Sequence, residues 1–110
     1  MAELSGDRVA EVVIDTAVDG SGAPIITVSG ELDISNAASL QSKVGSIITA
    51  ERPERMIFDL SGLRFMDSAG IAVLIGAASK VDVVRLRNPS PIVRRVVELT
   101  GLSAVLPIES

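Results

Sequence analysis

Asp67-Ser68, inside Phe65-Met66-Asp67-Ser68-Ala69-Gly70, sets a hydroxyl beside a carboxylate directly ahead of the apolar run Ile71-Ala72-Val73-Leu74-Ile75. The spacing predicts a helix from Ala69 to about Ser79, with Ile71, Leu74, Ile75 and Ala78 on one face. It places Ser68 at the N-cap, where a side-chain oxygen accepts a backbone N–H and the positive end of the helix favours anions. A hydroxyl so placed could be a cap, a nucleophile or a phosphate acceptor. The nucleophile reading lacks its machinery. The chain has no His, so the usual general base is missing, and Met66 stands where a nucleophile elbow has its first glycine. A serine–lysine pair with Lys43 or Lys80 has no support in their spacing. No Cys or His is present to hold a metal, and no glycine-rich loop with its Lys is present to cradle a nucleotide phosphate. The chain therefore reads as a non-enzyme without cofactor or metal.

The elements that must position this pair fit one domain, 1–110, whose 47% hydrophobic content is ample for a single core. Acidic and basic residues are mixed, the net charge is -4, and Trp and Tyr are absent. No basic stripe or aromatic platform points to nucleic acid. Met1 to Arg8 is polar, without the apolar core of a signal peptide, and is expected to be flexible. No apolar run reaches the length of a membrane span. A soluble, cytoplasmic protein is expected.

In chain order, Val9 to Val18 reads as a strand, 19–23 as a loop and Pro24 to Ser29 as the antiparallel return strand, ended by Gly30-Glu31-Leu32-Asp33. Ser35 or Asp33 should cap a helix with Ala37, Leu40, Val44, Ile47 and Ile48 inward, stopped near Ala50 ahead of Pro53. Met56-Ile57-Phe58 reads as a strand buried on both faces. The second helix, almost uncharged until Lys80, should be covered over most of its circumference. Val81 to Leu86 is the next strand, and Ser90-Pro91 starts a helix with Ile92, Val96 and Leu99 on one face and Val93 and Val97 beside them, closed by Gly101. Leu102 to Ile108 supplies an edge strand, because Pro107 cannot donate to a ladder. Arg64, Arg85 and Arg87 read as solvated charges. The order ββαβαβαβ implies a mixed, mostly parallel sheet of about five strands with an antiparallel N-terminal hairpin and helices packed against it.

Gly30-Glu31-Leu32-Asp33, the run from Asp59-Leu60-Ser61-Gly62 through Phe65-Met66-Asp67-Ser68-Ala69-Gly70, and Asn88-Pro89-Ser90 with Leu99-Thr100-Gly101-Leu102 resemble, in order, the STAS domain of bacterial anti-sigma factor antagonists. The resemblance implies the STAS fold and a partner switch. The antagonist binds an anti-sigma factor that is also a serine kinase and so frees the sigma factor. The kinase phosphorylates the serine corresponding to Ser68, the complex dissociates, and a phosphatase restores it. By the same match Asp33, Phe65, Met66, Asp67, Ser68 and Ala69 would belong to the partner-binding surface; nothing in the sequence demands more than a monomer when unbound. The competing reading within the family is a non-switching STAS scaffold, or an accessory subunit of a signalling or transport assembly.

A phosphate on Ser68 would add about -1.5 to -2 charges at a helix N-terminus, which tolerates anions, so the fold should survive. At a fitted interface the same dianion beside Asp67 would have to be desolvated, and like-charge juxtaposition there costs several kcal/mol. Two departures from the family pattern bear on partner choice: the segment from Ser68 to Asn88 is shorter by about one helical turn, and the closing helix carried by many relatives is expected to be missing or very short.

Overall fold

The computed structural model describes residues 11–109; the segment expected to be flexible and the start of the first expected strand lie outside them. β1 (Val12–Val18) and β2 (Pro24–Leu32) form the expected antiparallel hairpin, in register from Val12 opposite Gly30 to Val18 opposite Pro24. Asp19 holds its turn. Its carboxylate accepts the N–H groups of Ser21 at 2.8 Å and Ala23 at 2.9 Å and the Ser21 hydroxyl at 2.7 Å. The Ser21 hydroxyl above all, and then these amides, hold the Asp19 carboxyl below its ordinary range.

β2 is longer than expected because it serves two neighbours in succession. Its first half pairs in parallel with β3 (Arg55–Asp59), Ile25 to Thr27 facing Ile57 to Asp59. Its second half pairs with β4 (Leu63–Met66), Gly30 opposite Leu63 and Leu32 opposite Met66, with a register shift between Gly30 and Glu31. Gly30 makes the shift possible: its φ is +96°, and a Cβ there would lie 2.2 Å from the Glu11 carbonyl oxygen. β4 is a strand that the expected order ββαβαβαβ lacks, and it changes the order to ββαββαβαβ. Four residues with two adjacent exposed positions, Arg64 and Phe65, do not show the alternation by which a strand is recognised.

α1 (Ala37–Glu51) follows β2, α2 (Ser68–Ala78) follows β4, and β5 (Val83–Arg87), α3 (Pro91–Leu99) and β6 (Ile108–Glu109) complete the described chain. The sheet order is β1-β2-β3-β5-β6, with β4 on β2, and all pairings except β1–β2 are parallel. Each crossover, β2 to β3, β4 to β5 and β5 to β6, steps in the same direction along the sheet. Right-handed connections then deliver all three helices to one face. On that face Ile26, Val28, Met56, Phe58, Val84 and Leu86 meet Leu40 and Val44 of α1, Ile71, Leu74 and Ala77 of α2, and Val93 and Val97 of α3.

The helix faces are rotated from those expected. α2 buries Gly70, Ile71, Val73, Leu74 and Ala77, while Ile75 is 37% exposed, and Ala72 and Gly76 are also open to solvent. Uniform hydrophobicity gave no period from which to choose its inward side. α3 buries Val93 and Val97 and exposes Ile92 and Leu99. Its start is as expected: Ser90 caps, its Oγ accepting the Val93 N–H at 3.4 Å and donating to the Leu63 carbonyl at 3.0 Å, which ties α3 to β4. Gly101, at φ +73°, follows its end. Of the last expected strand, Leu102 to Ile108, only Ile108 pairs, together with Glu109 beyond it, at the edge beside β5; the chain before them turns so that Leu106 enters the core. Among the described residues no helix is long and apolar enough to cross a membrane.

Candidate functional site

β2 and β4 end side by side. Leu32 faces Met66, and the Asp67 N–H donates to the Leu32 carbonyl at 3.2 Å. Asp33 and Asp67, the next residue of each strand, therefore leave the sheet together at the C-terminal ends of parallel strands, the end at which α/β folds gather their sites.

The first turn of α2 differs from expectation in one respect that matters. Asp67, in extended geometry, is the N-cap, and its carboxylate accepts the Ala69 N–H at 2.8 Å. Ser68 is the first helical residue, and it is exposed. An aspartate serves this position as well as a serine, and it stood one residue earlier. The consequence is chemical: relieved of capping, the Ser68 hydroxyl makes no hydrogen bond to any described residue. Gly70 seats the turn. A Cβ there would lie 2.6 Å from Met66 Cγ and 2.8 Å from Leu32 Cδ2, so only glycine lets the helix rest on the two strand ends. Met66, expected at the partner surface, is 1% exposed and lies in the core beneath this turn. Phe65 points the other way and is 46% exposed, while Asp67 and Ala69 are half-buried.

Asp33 does not cap α1 with its side chain, and neither does Ser35. Asn36 occupies the N-cap without a side-chain capping bond. The Asp33 carboxylate instead accepts the Ser35 N–H at 2.8 Å and the Ser35 hydroxyl, while its carbonyl accepts the N–H groups of Asn36 at 3.1 Å and Ala37 at 2.9 Å. Asn36 closes the loop from the other side, its Oδ1 accepting the Asp33 N–H at 3.0 Å and its Nδ2 donating to the Glu31 carbonyl at 2.9 Å. This bonded turn presents Ile34, 83% exposed, which the sequence reading passed over. An isoleucine between an aspartate and a serine gives no sign of which way it faces. Arg64 reaches Glu31 at 3.6 Å beside the same strand ends, a loose and exposed pair of little energetic weight.

The STAS domain family model matches residues 13–110. This chain belongs to the STAS domain family. Among its relatives, the anti-sigma-F factor antagonist RsfB of Mycobacterium tuberculosis is 31% identical over 93 residues, covering 79% of this chain and 73% of that protein. The anti-sigma F factor antagonist of Lysinibacillus sphaericus is 33% identical over 82 residues, covering 71% and 70%. The crystal structure of an anti-sigma factor antagonist from Mycobacterium paratuberculosis superposes with a TM-score of 0.81 at 28% identity, covering 89% of this chain and 85% of that one. In this STAS domain the strand ends form an open surface. A cleft lined by Ser21, Gly22, Ala23, Pro53, Glu54 and Arg55 lies at the opposite end of the sheet, near the starts of β2 and β3, and none of Asp33, Asp67 and Ser68 lines it. Among the described residues no group of three or more His, Cys, Asp or Glu is placed to hold a metal ion. Two carboxylates, a free hydroxyl and the exposed side chains of Ile34 and Phe65 suit recognition of a protein surface.

Proposed function

We propose that this STAS domain is an anti-sigma factor antagonist: a cytoplasmic binding protein, not an enzyme, which engages an anti-sigma factor with serine kinase activity and thereby frees the sigma factor for transcription. Phosphorylation of Ser68 ends the engagement, and a phosphatase acting on the phosphoserine restores it. Asp33, Phe65, Asp67, Ser68 and Ala69 make up the partner surface, with Met66 holding it from beneath.

The observation that carries this reading is the unbonded hydroxyl at the first position of α2. A kinase needs an accessible serine oxygen, and Asp67 leaves it one by taking the cap. A phosphate there gains tenths to about one kcal/mol from the helix N-terminus, so the modified domain keeps its fold. Against a docked partner the same dianion stands beside Asp67 and must lose its water. A penalty of roughly 3 to 4 kcal/mol lowers affinity several-hundredfold, since each 1.4 kcal/mol is about tenfold.

A pull-down with the full chain from lysate of its own cells, followed by ATP, tests the proposal. The expected result is capture of an anti-sigma factor and its release on adding ATP, with Ser68→Ala retaining the partner in the presence of ATP. Capture of a partner that ATP never releases would instead describe a constitutive scaffold.

A further inference from the structure

The bonded turn between β2 and α1 carries an apolar side chain that the domain itself does not use. Ile34 is 83% exposed, more than any other large hydrophobic residue among the described ones. The backbone beneath it is held from both sides. The Asp33 carboxylate accepts the Ser35 N–H and hydroxyl through one oxygen, Oδ1, and the Asn36 side chain joins the Asp33 N–H to the Glu31 carbonyl. A β-branched side chain adds few rotamers of its own. A tip so fixed loses little conformational freedom when another surface closes over it, which is the condition for an efficient binding anchor. Leu32 faces Met66 in the parallel pair, and Ile34 and Ser68 each lie two residues further on. Tip and hydroxyl thus leave the sheet side by side, from neighbouring strands.

We propose that Ile34 is the apolar anchor by which this domain engages its anti-sigma factor, entering an apolar pocket on that partner beside the place where Ser68 docks, and that Asp33 is a positioning residue which acts through it. The inference rests on the proposed docking of an anti-sigma factor at Ser68 and names the contact that selects the partner. The surface then has two parts with separate tasks. Ser68 carries the charge that phosphorylation adds, whereas Ile34 supplies affinity from a side chain that phosphorylation leaves chemically unaltered. Burying an exposed isoleucine is worth about tenfold to a hundredfold in affinity, enough to set one anti-sigma factor apart from another whose surface lacks the pocket. The role of Asp33 follows from its bonds. Asp33→Asn keeps an Oδ1 to accept the Ser35 N–H and hydroxyl, whereas Asp33→Ala removes it and releases the tip.

The test is titration calorimetry of the full chain against the purified anti-sigma factor of its own cells, with Ile34→Ala, Ile34→Val, Asp33→Ala and Asp33→Asn. Circular dichroism checks that each variant is folded, and because Ile34 is exposed its variants should melt within about four degrees of the parent. Ile34→Ala should bind about tenfold to a hundredfold more weakly, and Ile34→Val about threefold. Asp33→Ala should lose about tenfold, and Asp33→Asn should recover most of that loss. When the same partner phosphorylates Ser68, Ile34→Ala should raise KM without lowering kcat, because an anchor holds the partner and does not touch the reacting oxygen. If the wild type binds and Ile34→Ala binds as tightly, the anchor is overturned. Asp33→Asn as weak as Asp33→Ala overturns the positioning role, since charge and not shape would then be what the partner reads. Ile34→Ala that lowers kcat at unchanged KM puts the side chain in the phosphotransfer step and also overturns the proposal. A wild-type chain that binds no anti-sigma factor defeats the docking at Ser68 itself, and the anchor falls with it.

Discussion

Two adjacent side chains at the start of α2 divide the labour that either could have done alone. Asp67 satisfies the Ala69 N–H, and Ser68 keeps its oxygen for solvent. The division has a direct thermodynamic signature. Asp67→Ala should lower stability by about 1 kcal/mol in urea unfolding, whereas Ser68→Ala should stay within about 0.5 kcal/mol of the parent. The opposite ranking would make Ser68 the cap and remove its availability. The chemical pair Asp67-Ser68 was legible in the sequence, but which of the two capped was not, because both residue types fill that role and helix ends shift by a residue. Asp19 offers a second test at this scale. Its folded pKa is depressed by the Ser21 hydroxyl and the turn amides, so its contribution is present above the ordinary carboxylate range and is lost as pH falls through the depressed value. Amide exchange protection at Ser21 and Ala23 should thus be level at neutral pH and fall only in acid, and Asp19→Ala should show the low protection at every pH.

Between elements, the site depends on how closely α2 sits on the ends of β2 and β4. Gly70→Ala forces a methyl against the buried Met66 and Leu32 side chains and should destabilise by about 1 to 3 kcal/mol. Met66→Ala should cost about 2 to 5 kcal/mol by leaving a cavity, and Phe65→Ala, on the exposed side, about 1 kcal/mol or less. A Phe65 substitution that costs as much as the Met66 one would mean that the two faces of β4 had been assigned the wrong way round. Sequence pattern revealed the hairpin, three helices and the parallel strands, because each carries a period or a strong cap such as Ser90-Pro91. It did not reveal β4, whose pairing with β2 depends on a register shift at Gly30, a long-range event with no local signal. Nor did it find the inward faces of α2 and α3. In α2 nearly every residue is apolar, and in α3 Ile92 and Leu99 could equally have faced in.

At the scale of the molecule, three same-handed crossovers bring the three helices of the described residues to one face of the sheet, and the Ser68 surface stands at the strand ends, where α2 begins. The chain has no His, so no imidazole titrates between pH 5 and 8. The proposed switch is accordingly driven by phosphate charge added at Ser68, on a scaffold that need not change shape. Thermal unfolding and partner affinity, measured together on the unmodified protein and on protein carrying phosphoserine at position 68, test this most directly. The account predicts melting temperatures within a few degrees of each other, while affinity for the anti-sigma factor falls by about 10²-fold or more. A phosphorylated domain that binds as tightly as the unmodified one, or that loses binding only because it has unfolded, would contradict it.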